Sequence, residues 1–189
     1  MFWGQEPQRA VVRERMKLLL AAHHSEVNPQ ARDVPEGTLL LEQGARAEHL
    51  LLLTQGRVAI QLRPFDQQAH TLAVVEAEEL LGEMGLFGNG THSADVRVVE
   101  GDAQVIEVRG DDLLKAMLFD IDLAMELLAL LSERCMHSNQ IIGLLLGGIH
   151  AAHDHDVVLL QQACERLDPL NPCLSAAAAQ LRRLTTSQP

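Results

Sequence analysis

The spacing of apolar residues changes along this chain, and each change predicts a different kind of element. Over residues 8–23, Val11, Met16, Leu18, Leu19 and Leu20 recur among charged residues at helical intervals, which predicts a short amphipathic helix ending near His23-His24-Ser25. From Thr38 to Val108 the pattern becomes short apolar runs broken at Gln43-Gly44, Thr54-Gln55-Gly56, Pro64-Phe65-Asp66, Glu76 to Glu79 and Gly101-Asp102. Such runs predict strands near 38–42, 48–53, 56–63, 70–75, 94–99 and 103–108. Two facing antiparallel sheets closed into a jelly-roll barrel would bury them, with Gly44, Gly56 and Gly101 at the corners. Helical spacing then returns. Asp111 and Asp112 suit an N-cap and first turn, with Leu113, Leu114 and Met117 as the apolar face. A longer helix is predicted over 121–149, with a break at Gly147-Gly148. Two short helical patterns follow, 156–167 and 174–184, separated by Asp168-Pro169 and Asn171-Pro172.

The long helix carries two apolar stripes. Ala124, Leu128, Leu131, Cys135, Ser138, Ile142, Leu145 and Ile149 alternate spacings of 4 and 3, the seven-residue repeat that buries a seam against a partner helix. Leu123, Leu127, Leu130 and Leu144 form the second stripe, free to pack on the chain's own barrel. One barrel flank covers one stripe, so the other predicts a homodimer of paired helices, with polar Ser138 fixing register; the alternative is burial of both within one monomer.

Composition narrows the function. An apolar fraction of 47% over 189 residues supports a sizeable core. A net charge of −11 without a basic run argues against direct DNA binding and against anionic membrane surfaces. Cys135, Cys164 and Cys173 show no CxxC spacing, which predicts buried thiols in a reducing compartment. Arg9, Arg13, Glu14, Arg15 and Lys17 interrupt any signal-peptide core, and stretches such as Leu144-Leu145-Leu146 are too short to span a membrane, so a soluble cytoplasmic protein is expected. There is no Gly-x-Ser-x-Gly elbow, Walker lysine loop or HExxH, and no tyrosine; Glu78-Glu79 and Asp111-Asp112 read as loop and cap residues, so no enzyme is expected.

The candidate chemistry lies between Leu80 and Arg97. Gly82 and Gly85 form a small-residue turn, Gly88-Asn89-Gly90 a flexible tip, and Thr91, His92 and Ser93 lead into a strand. Backbone N–H groups exposed by such turns, completed by hydroxyls, make a cradle for an anion. Gly82-Glu83-Met84-Gly85-Leu86-Phe87, followed by Ser93, Ala94 and Val96, resembles the phosphate-binding cassette of the cyclic-nucleotide-binding domain family, whose catabolite activator type is the best-known branch. Pro35-Glu36-Gly37, Leu39 to Gly44, Leu50 to Leu53 and Gly56 to Ile60 look like that family's early strands, and the resemblance runs from about residue 30 to 148. It implies an N-terminal helix and lead-in at 1–29, a barrel at 30–120, a dimerisation helix at 121–149 and a helical tail at 150–189.

The resemblance also implies roles. Glu83 would accept the ribose 2′-hydroxyl, Ser93 with the amides of Gly82 and Ala94 would donate to the cyclic phosphate, Met84 would border the ligand, and Ser138 and Asn139 would reach the purine. His92 stands where the family has arginine. Arginine is a permanent two-pronged cation, whereas histidine is mostly neutral near pH 7, a loss worth roughly 1.5–3 kcal/mol. Arg97 either pairs with Asp95 or supplies the missing charge. Transcriptional members carry a basic helix-turn-helix domain after the long helix; this tail sets Asp154, Asp156, Glu165 and Asp168 against Arg166, Arg182 and Arg183, with nothing like a recognition helix. His150, His153 and His155 form either a solvated hinge or a metal site. No cofactor is expected. Three readings stay open: a dimeric regulator that binds cyclic AMP or cyclic GMP and signals to a protein partner, a ligandless scaffold, and a metal sensor built on the tail.

Overall fold

The structure, a computed structural model, describes residues 6–64, 69–118 and 120–186. The tip of the turn expected at Phe65-Asp66 lies outside them. The chain divides into two compact units, Gln5–Leu131 and the residues from Ser132 onward.

The first unit opens with α1 (Glu6–Ala22) and the single turn α2 (His24–Val27). Its sheet comprises β1 (Gln30–Val34), β2 (Leu39–Leu41), β3 (His49–Leu62), β4 (His70–Glu76), β5 (Glu79–Leu81) and β6 (Asp95–Arg109), with the short helix α3 (Glu83–Leu86) between the last two. Two of the expected boundaries dissolve: the runs 48–53 and 56–63 are one bent strand, as are 94–99 and 103–108. β3 and β6 pair antiparallel on both sides of an irregularity at Gln55/Arg57, and each half recruits different neighbours. β1 and β5 extend the half nearest the helices, while β2 and β4 extend the other. The strand order β1-β6-β3-β4 does not return on itself among the described residues, so this jelly-roll-like sheet is unclosed rather than the closed barrel expected.

The bend has a steric cause. Gly56 has φ +91°, and a Cβ there would stand 2.7 Å from the Asp102 carbonyl oxygen, while Glu100 and Gly101 opposite also take positive φ. On the helix-facing side of the first half, Leu50, Leu52, Leu80 and Val108 pack with Val12, Met16 and Leu19 of α1, with Leu113, Ala116 and Met117 of α4 (Gly110–Met117), and with Leu123, Leu127 and Leu130 at the start of α5 (Ile121–His153). Alternation along the strands sends Leu51, Leu53 and Val105 to the opposite face, where they are also buried. β1 escapes sequence reading because four of its five residues are exposed, and β5 because three residues carry no period. Glu79 is not a loop residue: it is buried in β5 and pairs with Arg9 of α1 at 2.5 Å. Asp111 and Asp112 lie in the first turn of α4, but Arg109 holds its N-cap position without a side-chain cap.

In the second unit, α5 passes through Gly147-Gly148 unbroken and ends at His153. Gly148 is there for closeness, since a Cβ would lie 2.9 Å from Leu181 Cδ1. α6 (Val157–Leu167) starts at Asp156, whose side chain accepts from the amides of Val158 and Leu159, and α7 (Pro172–Thr186) folds back on it. Ile141, Ala151, Leu160, Cys164, Leu167, Leu174, Ala178 and Leu181 form their common core, with Leu144 and Leu145 packed against it. Leu144 therefore serves the tail helices rather than the barrel, and Leu145 is half-committed to them rather than to a free seam.

Gly56→Ala should destabilise the first unit by at least about 1 kcal/mol, because the new methyl meets backbone in a left-handed conformation. A urea transition with unchanged slope and a lowered midpoint is the expected reading.

Candidate ligand site

The cassette is built from a tight turn and an outer brace. Gly82 caps α3 in a left-handed conformation with φ +90°, and a Cβ there would approach the His49 carbonyl oxygen at 3.2 Å and Leu41 Cδ1 at 3.3 Å. That contact lets the start of α3 lie against β2 and β3. Glu83 occupies the first turn of α3 and is 1% exposed. Gly85 backs directly onto the returning chain, where a Cβ would meet the Thr91 carbonyl oxygen at 2.7 Å. On the far side, the loop 44–47 holds the returning segment: Gly44 N–H donates to the His92 carbonyl at 2.8 Å, His92 N–H to the Ala45 carbonyl at 2.9 Å, and Ala47 N–H to the Gly90 carbonyl at 2.9 Å. Glu83 is thus turned inward, whereas Met84 and Ser93 are exposed, with the serine hydroxyl 3.9 Å from the Met84 sulfur. Ala94 is half-buried.

Asp95 follows immediately, 3% exposed. Its carboxylate accepts from the Gln43 amide at 2.6 Å and from Arg63 Nη2 at 3.0 Å, and its other oxygen stands 2.7 Å from Arg63 Nε. Arg63 N–H in turn donates to the Gln43 side-chain oxygen at 2.7 Å. The Asp95–Arg97 salt bridge weighed from the sequence does not form; Arg97 instead donates to the Gly37 carbonyl at 2.6 Å. Arg63 is the residue sequence reasoning missed. Only the register that sets Gln61 opposite Asp95 brings it there.

His92 is 8% exposed, and its ring makes no hydrogen bond among the described residues. Burial, and to a lesser degree the charge of His49, hold its pKa below the ordinary histidine value. The imidazole is therefore neutral near pH 7. It borders a cavity of about 340 Å³ whose wall also includes Arg32, Leu41, Glu42, Arg46, Glu48, His49 and Glu107, and includes neither Glu83 nor Ser93. Arg32 is bonded to Glu107, and His49 Nδ1 lies 3.7 Å from that same carboxylate.

The remaining expected site residues lie in the second unit or at its start. The Ser138 hydroxyl donates to the Arg134 carbonyl of its own helix at 3.0 Å, and Asn139 is exposed. On the seam, Leu128 is 57% and Ile142 53% exposed, Cys135 is exposed, and Leu131 is half-buried. Among the described residues no group of three or more His, Cys, Asp or Glu is arranged to hold a metal ion, and Asp156 beside His155 is occupied as the α6 cap. No helix among them is long and apolar enough to cross a membrane.

Residues 31–118 match the model of the cyclic nucleotide-binding domain family. The cyclic AMP receptor protein of Thermus thermophilus is 32% identical over 117 residues, which cover 61% of this chain and 53% of that one, so the chain spans about half the length of the curated relative it matches. Among solved structures, the catabolite activator protein of Thermus thermophilus superposes with a TM-score of 0.63 at 24% identity, covering 92% of this chain and 82% of its own. The sensor domain of the transcriptional regulator DNR from Pseudomonas aeruginosa gives a TM-score of 0.54 at 21% identity, over 68% of this chain and 93% of its own. These likenesses show the fold.

The lowered pKa of His92 fixes the sign of a pH effect on the free protein. The unfolded chain binds the proton more readily, so the stability owed to His92 is fully present above the ordinary histidine pKa and is lost as pH falls through the lowered one. Urea midpoints measured between about pH 7.5 and 5 should fall with acid in the wild type and fall less in His92→Gln.

Proposed function

We propose that this chain, whose residues 31–118 match the model of the cyclic nucleotide-binding domain family, is a non-catalytic regulator that binds cyclic AMP or cyclic GMP through the cassette and relays occupancy to a protein partner as a homodimer. The observation that supports it best is the braced turn itself. Glu83 is fixed inward on α3 and Ser93 outward beside Met84, and the strand that carries the serine is clamped from behind by the loop 44–47 and by the Asp95–Arg63 pair. In this reading Glu83 takes the ribose, Ser93 with the amides of Gly82 and Ala94 takes the phosphate, and Ser138 and Asn139 meet the base. Affinity is weak because a neutral imidazole stands where a fixed cation would. The exposed Leu128 and Ile142, on a helix whose opposite stripe is already buried, support pairing with a second copy. Three free cysteines fit a reducing, cytoplasmic setting.

A ligandless scaffold is favoured by a different observation: Arg63 is committed to Asp95 and Arg97 to the Gly37 carbonyl. Both readings predict the dimer, so the ligand decides between them.

Thermal melts with cyclic AMP and cyclic GMP should show about 2.7 kcal/mol of stabilisation at a hundredfold excess over the dissociation constant. Ser93→Ala, on an exposed side chain, should weaken binding by roughly five- to thirtyfold without lowering the melting temperature of the free protein. No shift at millimolar ligand, in the wild type and in His92→Arg alike, selects the scaffold. Light scattering on the same samples should give the mass of two chains, reduced to one by Leu128→Asp with Ile142→Asp.

A further inference from the structure

The backbone of His92 is tied to the loop 44–47 on both sides, by the Gly44 amide at 2.8 Å and the Ala45 carbonyl at 2.9 Å. Its ring has no hydrogen-bond partner among the described residues, although the residue is only 8% exposed. Buried polar groups are ordinarily paired with protein or with something bound. This ring borders the cavity of about 340 Å³, which is of the size that holds small molecules. Leu41 and Leu51 give that cavity a buried apolar wall. Its charges do not balance: three carboxylates, Glu42, Glu48 and Glu107, stand against two guanidiniums, Arg32 and Arg46. Arg32 is bonded to Glu107, and Arg46 lies 3.5 Å from Glu48. Glu42 lies 3.4 Å from Arg63, but Arg63 is held more closely by Asp95, at 2.7 Å and 3.0 Å, which already matches its charge. Glu42 is therefore the surplus anion of the wall.

We propose that this cavity is a second ligand site, separate from the cassette, and that it takes a small primary amine with a short aliphatic chain. The ammonium supplies the positive charge that Glu42 lacks and a donor for the unprotonated nitrogen of a neutral imidazole. The chain covers Leu41 and Leu51, which returns apolar surface to a dry contact. An anion gains nothing comparable, because both guanidiniums of the wall already have carboxylates beside them and the surplus charge repels it. The net charge of −11 over the whole chain draws cations toward the opening and turns anions away. The wall includes neither Glu83 nor Ser93, so this site goes beyond the nucleotide reading and stands or falls without it.

The test is an NMR titration of the full chain in low salt at about pH 7.5, where an aliphatic amine is protonated, with three probes of similar length: n-butylamine, 1-butanol and butanoate. n-Butylamine should move the resonances of His92, Leu41 and Leu51 saturably, with a dissociation constant in the millimolar range expected of so few atoms. It should bind at least about fivefold more tightly than 1-butanol, and butanoate should leave those resonances in place. Glu42→Gln, a change on an exposed side chain, should weaken the amine about two- to fivefold and leave the alcohol unaffected. His92→Leu should weaken the amine by about tenfold, read in protein whose spectrum keeps the dispersion of the wild type. Shifts that spread over the surface without saturating overturn the proposal, as does butanoate binding as tightly as the amine. An amine affinity that Glu42→Gln leaves unchanged overturns it too, whether or not His92→Leu folds.

Discussion

The ladder between β3 and β6 is the constraint on which the first unit depends. Both strands run through two half-sheets, and the ladder between them is interrupted at Gly56, opposite Glu100-Gly101, where all three residues take positive φ. One half then offers Leu50, Leu52 and Val108 to three helices, and the other offers its edges to β2 and β4. The cassette hangs between β5 and β6, so its two ends are held by partners of the same spine strand. Its precision comes from there, since a four-residue helix has little stability of its own.

Charge placement around that cassette differs from what a fixed phosphate site would use. The carboxylate of Asp95, next to Ser93 and Ala94, is neutralised by Arg63, whose guanidinium also reaches Glu42 in the loop beyond β2. This pair is largely buried on the Asp95 side, and its value is chiefly positional: removing Arg63 would strand a desolvated anion beside the site. With Arg63 and Arg97 both engaged elsewhere, the electrostatics of the turn fall to its backbone amides and to an imidazole that burial keeps uncharged.

Much of this was legible in the residues, for physical reasons that differ by element. Turn glycines located the corners because Gly56 and Gly101 need conformations other residues avoid, and the stripe Leu123, Leu127 and Leu130 of α5 was countable because helical burial is periodic. Legibility ended where tertiary partners override local pattern. Polar β1 is a strand only because β6 pairs with it, Glu79 is buried only because Arg9 reaches it, and the helix runs on through Gly148, against which Leu181 packs. At the site, His92 at the arginine position could be read directly, but its burial, its neighbour His49 and the Asp95–Arg63 pair required the register of strands far apart in the chain.

The protonation state of His92 in solution is the most direct measure of how this turn meets an anion. Its imidazole nitrogen shifts, followed by NMR across pH in selectively labelled protein, should report a neutral ring at pH 7 with a midpoint below the ordinary value of about 6.5, moving upward when cyclic AMP is added. A midpoint at or above the ordinary value in the free protein would contradict the burial of the ring against the Gly82 turn, and one that saturating cyclic AMP leaves in place would count against the proposed nucleotide reading.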